Sequence, residues 1–197
     1  MAHRTRQIFL EGALAALVIL MIGCQQQTAQ PVAQTPAAPT HEEMVKRGQY
    51  LVTVSVCNDC HTPFKMGPNG PEPDMSRMLS GHPENMKLSA PPKLSADWNF
   101  VGSATNTAWA GPWGISYTAN LTPDQNTGIG IWDEAMFIKA MRTGRHMGDG
   151  RPILPPMPWP WVAKMTDDDL KAVFAYLKSI PPISNHVPDA VEPPAQK

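Results

Sequence analysis

Apolar positions recur with helical spacing in three stretches, and the long segment between the first two shows no such pattern. The first stretch places Val45, Gly48, Leu51, Val52 and Ser55 on one stripe, which predicts a helix from about His41 to Val56. Thr40 with Glu43 three residues on is a capping box and marks its start. Glycine inside a helix costs about 1 kcal/mol against alanine, so Gly48 predicts the close approach of another helix. The second stretch turns Phe137, Ala140 and Met141 inward, with Asp133 as N-cap and Gly144 as the C-terminal stop. The third covers 167–179, with Leu170, Val173, Phe174 and Leu177 inward. Thr166 and Asp169 form its capping box, Asp167 and Asp168 favour its N-terminus, and Pro181-Pro182 ends it.

From Thr62 to about Trp113, proline and glycine recur and no helical or alternating run is long enough for a core of its own. Short turns are expected, with a small hairpin pairing Thr105–Trp109 with Ile115–Thr118 around Ala110-Gly111-Pro112. Asp124 to Glu134 is faintly like a calcium loop. Ile129 stands where the loop needs glycine and Ala135 where it needs glutamate, so a turn is expected instead. The 22 prolines argue for long ordered loops and floppy ends rather than a helix-packed bundle.

The chain opens with His3, Arg4 and Arg6, then an apolar run from Ile8 to Ile22 broken only by Glu11. That is the layout of an export signal. The run is short of the roughly 20 residues of a spanning helix, and an uncleaved membrane anchor is the competing reading. Met21-Ile22-Gly23-Cys24 resembles a bacterial lipoprotein box, with Met where Leu is usual. The expected division is a lipoprotein-type signal peptide at 1–23, a flexible tether at 24–40 that begins with an acylated Cys24, a folded domain at 41–183 and a disordered tail at 184–197. Either reading of the N-terminus puts the protein outside the cytoplasm. Gln25 after Cys24 points to the outer membrane if the cell is Gram-negative.

Sixteen Lys+Arg against seventeen Asp+Glu leave no basic field, so no nucleic acid is expected as a partner. The chemistry lies in Cys57-Asn58-Asp59-Cys60-His61. Two thiols about one helical turn apart, followed at once by an imidazole, are the sign of covalent c-type haem attachment. Each thiol adds across one porphyrin vinyl group, and His61 falls under the iron. A zinc ribbon needs a second ligand pair. A thioredoxin-like pair needs a βαβ setting, and a disulfide leaves His61 without a role. One haem c is expected, held by Cys57, Cys60 and His61.

Twelve methionines supply soft candidates for the sixth iron position. Met157 is the expected ligand: Pro156 and Pro158 stiffen the chain around it, and it lies in the loop before the last helix. Met147, Met165, His82 and His146 are the alternatives. No residue is assigned a catalytic role.

On these residues the chain resembles a monohaem class I cytochrome c from about Glu42 to Ile183. The carrying pieces are Arg47-Gly48-Gln49-Tyr50-Leu51, Cys57–His61, Asn120-Leu121-Thr122-Pro123-Asp124 with Thr127-Gly128, Met141-Arg142-Thr143-Gly144, Pro155-Pro156-Met157-Pro158 and Asp169-Leu170 through Tyr176-Leu177. Similar stretches occur in the cytochrome c subunits of bacterial membrane-bound alcohol, aldehyde and gluconate dehydrogenases, which carry three haem motifs where this chain has one. The resemblance implies an all-α domain whose N- and C-terminal helices cross around one covalent haem, Gly48 meeting Phe174 or Tyr176. The long Phe64–Gly114 loop is then an insertion packed over the haem edge. It implies one-electron transfer between redox partners (a dehydrogenase, an oxidase or another cytochrome) rather than enzymatic turnover. The protein would work on the periplasmic side of a membrane, held there through the lipid on Cys24. The alternative is a peroxidase- or reductase-like haem enzyme with a labile sixth ligand and a distal His82 or His146.

Overall fold

The structure, a computed structural model, describes residues 37–193. The expected signal peptide, Cys24 and most of the tether lie outside the described residues. Helix α1 (His41–Val54) starts as expected: the Thr40 hydroxyl accepts from the Glu43 N–H, and the Glu43 carboxylate accepts from the Thr40 N–H at 2.7 Å. Those Thr40 bonds hold the Glu43 carboxyl below its ordinary range.

Helix α1 buries Gly48, Leu51 and Val52 against the last helix, α5 (Asp167–Ser179). A methyl group on Gly48 would lie 1.9 Å from the Ala172 carbonyl oxygen and 2.7 Å from Tyr176 Cβ. The glycine therefore lets two backbones touch. Arg47 reaches Asp169 at 2.9 Å beside this contact. Helix α3 (Glu134–Thr143) completes the core with Phe137, Ala140 and Met141, the Phe137 ring centroid 5.3 Å from that of Phe174. Its ends match the expectation, with Asp133 accepting from the Met136 N–H and Gly144 left-handed at the C-cap.

The all-α class is not what forms. A third of the described structure is helical and 13% is strand, so the domain is mixed α/β with two small antiparallel sheets. One sheet is a hairpin of β1 (Phe64–Gly67) and β2 (Gly70–Pro73). The other is ordered β3 (Val101–Gly102), β4 (Ala108–Gly111), β5 (Gly114–Tyr117). Segments too short and too rich in glycine and proline for helices must still satisfy their backbone groups, and pairing as short strands does so. The β4–β5 hairpin is the expected one with its turn shifted to Pro112-Trp113 and Gly111 paired with Gly114. Asp124 makes the expected turn, its carboxylate accepting from the Thr127 N–H at 2.8 Å and the Thr127 hydroxyl at 2.7 Å.

Residues 184–193 lie against the domain. Asn185 is 2% exposed. Its side chain donates to the Ser80 and His82 carbonyls at 2.7 and 2.9 Å and accepts from the Glu84 N–H at 3.0 Å. Val191 and Ile115 exchange backbone hydrogen bonds. Asn185 thereby supplies partners that the Ser80 and His82 carbonyls, outside any strand, need.

Two outcomes test this packing. Gly48→Ala should lower stability by about 1–3 kcal/mol through overpacking, although alanine is the better helix former. A domain of this size should then melt lower by roughly 2–4 °C per kcal/mol. An unchanged melting temperature would show that the two helices separate freely. Asn185→Ala should take this partner from the buried Ser80 and His82 carbonyls and open 184–193 to limited proteolysis. Unchanged protection would show that the backbone ties of Asn185, His186 and Val191 hold the segment without the Asn185 side chain.

Candidate haem-attachment site

Cys57 to His61 form one helical turn, α2 (Cys57–His61), entered through Val56 in the left-handed conformation at φ 51°. A branched residue rarely sits there, and the turn breaks the line of α1. Four ties hold the motif. The Asn58 side-chain oxygen accepts from the Thr62 hydroxyl at 2.8 Å, and that hydroxyl accepts from the Leu79 N–H at 2.9 Å. Asn106 Nδ2 donates to the Asp59 carbonyl at 2.6 Å, and the Gly81 N–H donates to the His61 carbonyl at 2.7 Å. The fourth tie joins the His61 ring to the backbone of Ala119.

His61 is buried, and its Nδ1 lies 2.8 Å from the Ala119 carbonyl oxygen. A carbonyl can only accept, so Nδ1 carries the proton and Nε2 keeps its lone pair. Burial pushes the imidazole pKa down, against the opposing effect of the Ala119 bond, and favours the neutral ring. This is the state in which a histidine ligates iron.

Both thiols are free and half-buried. Burial pushes the Cys57 thiol up to about 11, and burial with the neighbouring Asp59 raises Cys60 as well. Both are thiols at neutral pH rather than thiolates. Among the described residues, no group of three or more His, Cys, Asp or Glu is placed to hold a metal ion, so a zinc ribbon's donor set is not assembled.

Met157 is half-buried and packs on the same core cluster as Cys57. Met165 packs there too, so this contact alone does not rank the two. The Met157 loop is tied at several points. The Ser116 hydroxyl donates to the Pro155 carbonyl at 2.6 Å, and the Ile153 N–H donates to the Gly144 carbonyl at 2.8 Å. Past the short helix α4 (Trp159–Val162) that follows the loop, Arg142 donates to the Ala163 carbonyl and the Asp167 carboxylate.

His146, Met147 and His82 have other surroundings. His146 and Met147 line an open cleft of about 450 Å³ with Asp133, Met136, Lys139 and Asp149. His82 is fully buried, its Nδ1 2.9 Å from the Thr107 hydroxyl and its ring on Tyr117. Its Nε2 and the Trp109 Nε1 are buried with no partner among the described residues. A free Nε2 on His61 and two neutral thiols on the same turn suit an iron porphyrin. Nothing in the sequence marks Ala119 or Ser116 as functional. Ala119 acts through its carbonyl, which no side chain announces, and Asn120-Leu121-Thr122-Pro123 beside it was the only signal.

No protein-family model matches the chain. Among curated proteins it is 30% identical, over 84% of its length, to the fructose dehydrogenase cytochrome subunit of Gluconobacter japonicus, of which it covers 27%. It is 30% identical over 78% of its length to the cytochrome c subunit of the quinone alcohol dehydrogenase of Gluconobacter oxydans, covering 25% of that protein. To the gluconate 2-dehydrogenase cytochrome c subunit of Pantoea cypripedii it is 31% identical over 69% of its length, covering 23%. The chain thus spans about a quarter of the length of the curated relatives it matches. At about 30% identity over most of its length, it is a homologue of one stretch of dehydrogenase cytochrome subunits.

Proposed function

We propose that this protein is a c-type cytochrome that carries single electrons between redox partners outside the cytoplasm. The observation that carries the reading is the His61–Ala119 bond, which leaves Nε2 as the iron-ready nitrogen beside two thiols on one turn. Cys57 and Cys60 would each add S–H across a porphyrin vinyl group, and His61 would hold the iron from one side. Met157 would complete the coordination from its loop. When bound, the haem supplies a one-electron iron couple, and His/Met ligation sets it at a high potential with no open position.

Residues 64–114 would cover the haem edge and restrict water, which also tunes potential. The names of the relatives support a dehydrogenase as partner; an oxidase or another cytochrome would stand at the other end of the transfer. Such encounters are small and transient, in keeping with a formal net charge of −1. Cys24 would carry a lipid anchor on the periplasmic side of the membrane, the outer membrane if the cell is Gram-negative.

Cys57→Ala or Cys60→Ala should abolish or severely impair covalent haem retention, while Cys24→Ala should keep the haem and release the protein from membranes. Haem staining of denaturing gels and a membrane wash read the two effects. Full retention without both Cys57 and Cys60 would end the proposal.

Met157→Ala should lower the potential and abolish the weak far-red band of the oxidised protein. It should also let carbon monoxide bind the reduced form, with the haem still attached. Met165→Leu is the matched control and should change none of these. The reverse pattern would assign the sixth position to Met165.

A further inference from the structure

The loop Leu154-Pro155-Pro156-Met157-Pro158 has a backbone with few handles. Its three prolines have no N–H, so it can be held from outside chiefly through its carbonyls. Ser116 takes one of them. This serine lies on β5 and is 7% exposed, and its hydroxyl sits 2.6 Å from the Pro155 carbonyl oxygen. The Trp113 indole Nε1 lies 3.2 Å from the same hydroxyl. An indole N–H only donates and a carbonyl only accepts. The direction is therefore fixed: Trp113 donates to Ser116, and Ser116 donates to Pro155. The alternative acceptor, the Trp109 carbonyl, is farther away at 3.5 Å.

The other end of the same segment grips the opposite ligand. Three residues on, the Ala119 carbonyl takes the Nδ1 proton of His61. Between them Tyr117 pairs with Ala108, the Thr118 N–H donates to the Thr107 carbonyl, and the Thr118 carbonyl accepts from the His82 N–H. Ser116–Ala119 is thus a strut pinned along its length, with His61 on one end and the Met157 loop on the other.

We infer that Ser116 is a positioning residue for the sixth iron ligand: through Pro155 it holds the Met157 loop at a fixed offset from His61 and so sets how firmly Met157 stays on the iron. This rests on the reading of Met157 as that ligand. Trp113 acts one step back, by fixing which way the hydroxyl points. Removing the Ser116 hydroxyl leaves haem attachment to Cys57, Cys60 and His61 untouched and makes Met157 easier to displace.

The test titrates imidazole into the oxidised full-chain holoprotein and follows loss of the far-red band. Ser116→Ala should raise the apparent imidazole affinity roughly two- to tenfold, the range of one net hydrogen bond. Ser116→Thr, which restores a hydroxyl, should return it toward the parent value. Trp113→Phe should shift it the same way as Ser116→Ala by a smaller factor. Lys178→Met removes a tie to the Gly130 carbonyl away from this loop, and should lower the melting temperature without changing imidazole affinity. Haem staining should be equal in all five proteins. If Ser116→Ala melts lower but binds imidazole as the parent does, Ser116 is only structural and the inference fails. If the parent itself lacks the far-red band, Met157 is not the ligand and the inference falls with that reading.

Discussion

One hydrogen bond, from His61 Nδ1 to the Ala119 carbonyl, sets the requirements that much of the remaining chain meets. A helical turn can place two thiols and an imidazole on one side, but it cannot choose the tautomer of the imidazole. That choice needs an acceptor that is never a donor, brought to the ring by another part of the chain. The carbonyl belongs to the strand-like run after β5, and the β4–β5 pairing fixes where that run goes. The segment before it answers the same need, with the Gly81 N–H on the His61 carbonyl and the His82 N–H on the Thr118 carbonyl. The sheets thus anchor the residues that orient His61.

The helices provide the base against which this is done. Gly48 lets α1 lie directly on Ala172, so α5 is placed relative to the helix that leads into Cys57. Both Cys57 and Met157 then pack on the core that α1, α3 and α5 share. Arg142, at the end of α3, joins the chain beyond Met157 to the start of α5 through Ala163 and Asp167. The Met157 loop is accordingly held from the sheet side by Ser116, and Arg142 holds the chain that follows it.

Features carried by side chains could be read from the sequence. The Thr40–Glu43 capping box, the Asp133 and Thr166 caps and the inward stripes all appear where residue type and spacing put them. The closeness announced by Gly48 is also present. What could not be read acts through the backbone or through distant partners. Ala119 contributes a carbonyl, β1–β2 is written in Gly and Pro with no alternation, and Asn185 looks like tail until Ser80 and His82 lie beside it. The all-α expectation came from a likeness carried by the helices and the ligand motifs. It failed in the 64–117 stretch, where short unpatterned runs resolved their backbone needs as strands.

The central claim is that the turn from Cys57 to His61 carries one haem through both thiols. Peptide mapping by mass spectrometry tests it most directly, on full-length protein produced in a bacterium competent for c-type cytochrome maturation and then unfolded and digested. The account predicts a single peptide spanning Cys57–His61 that bears the mass of one haem, with neither thiol open to alkylation. Recovery of that peptide without haem, with both thiols alkylated, would contradict it.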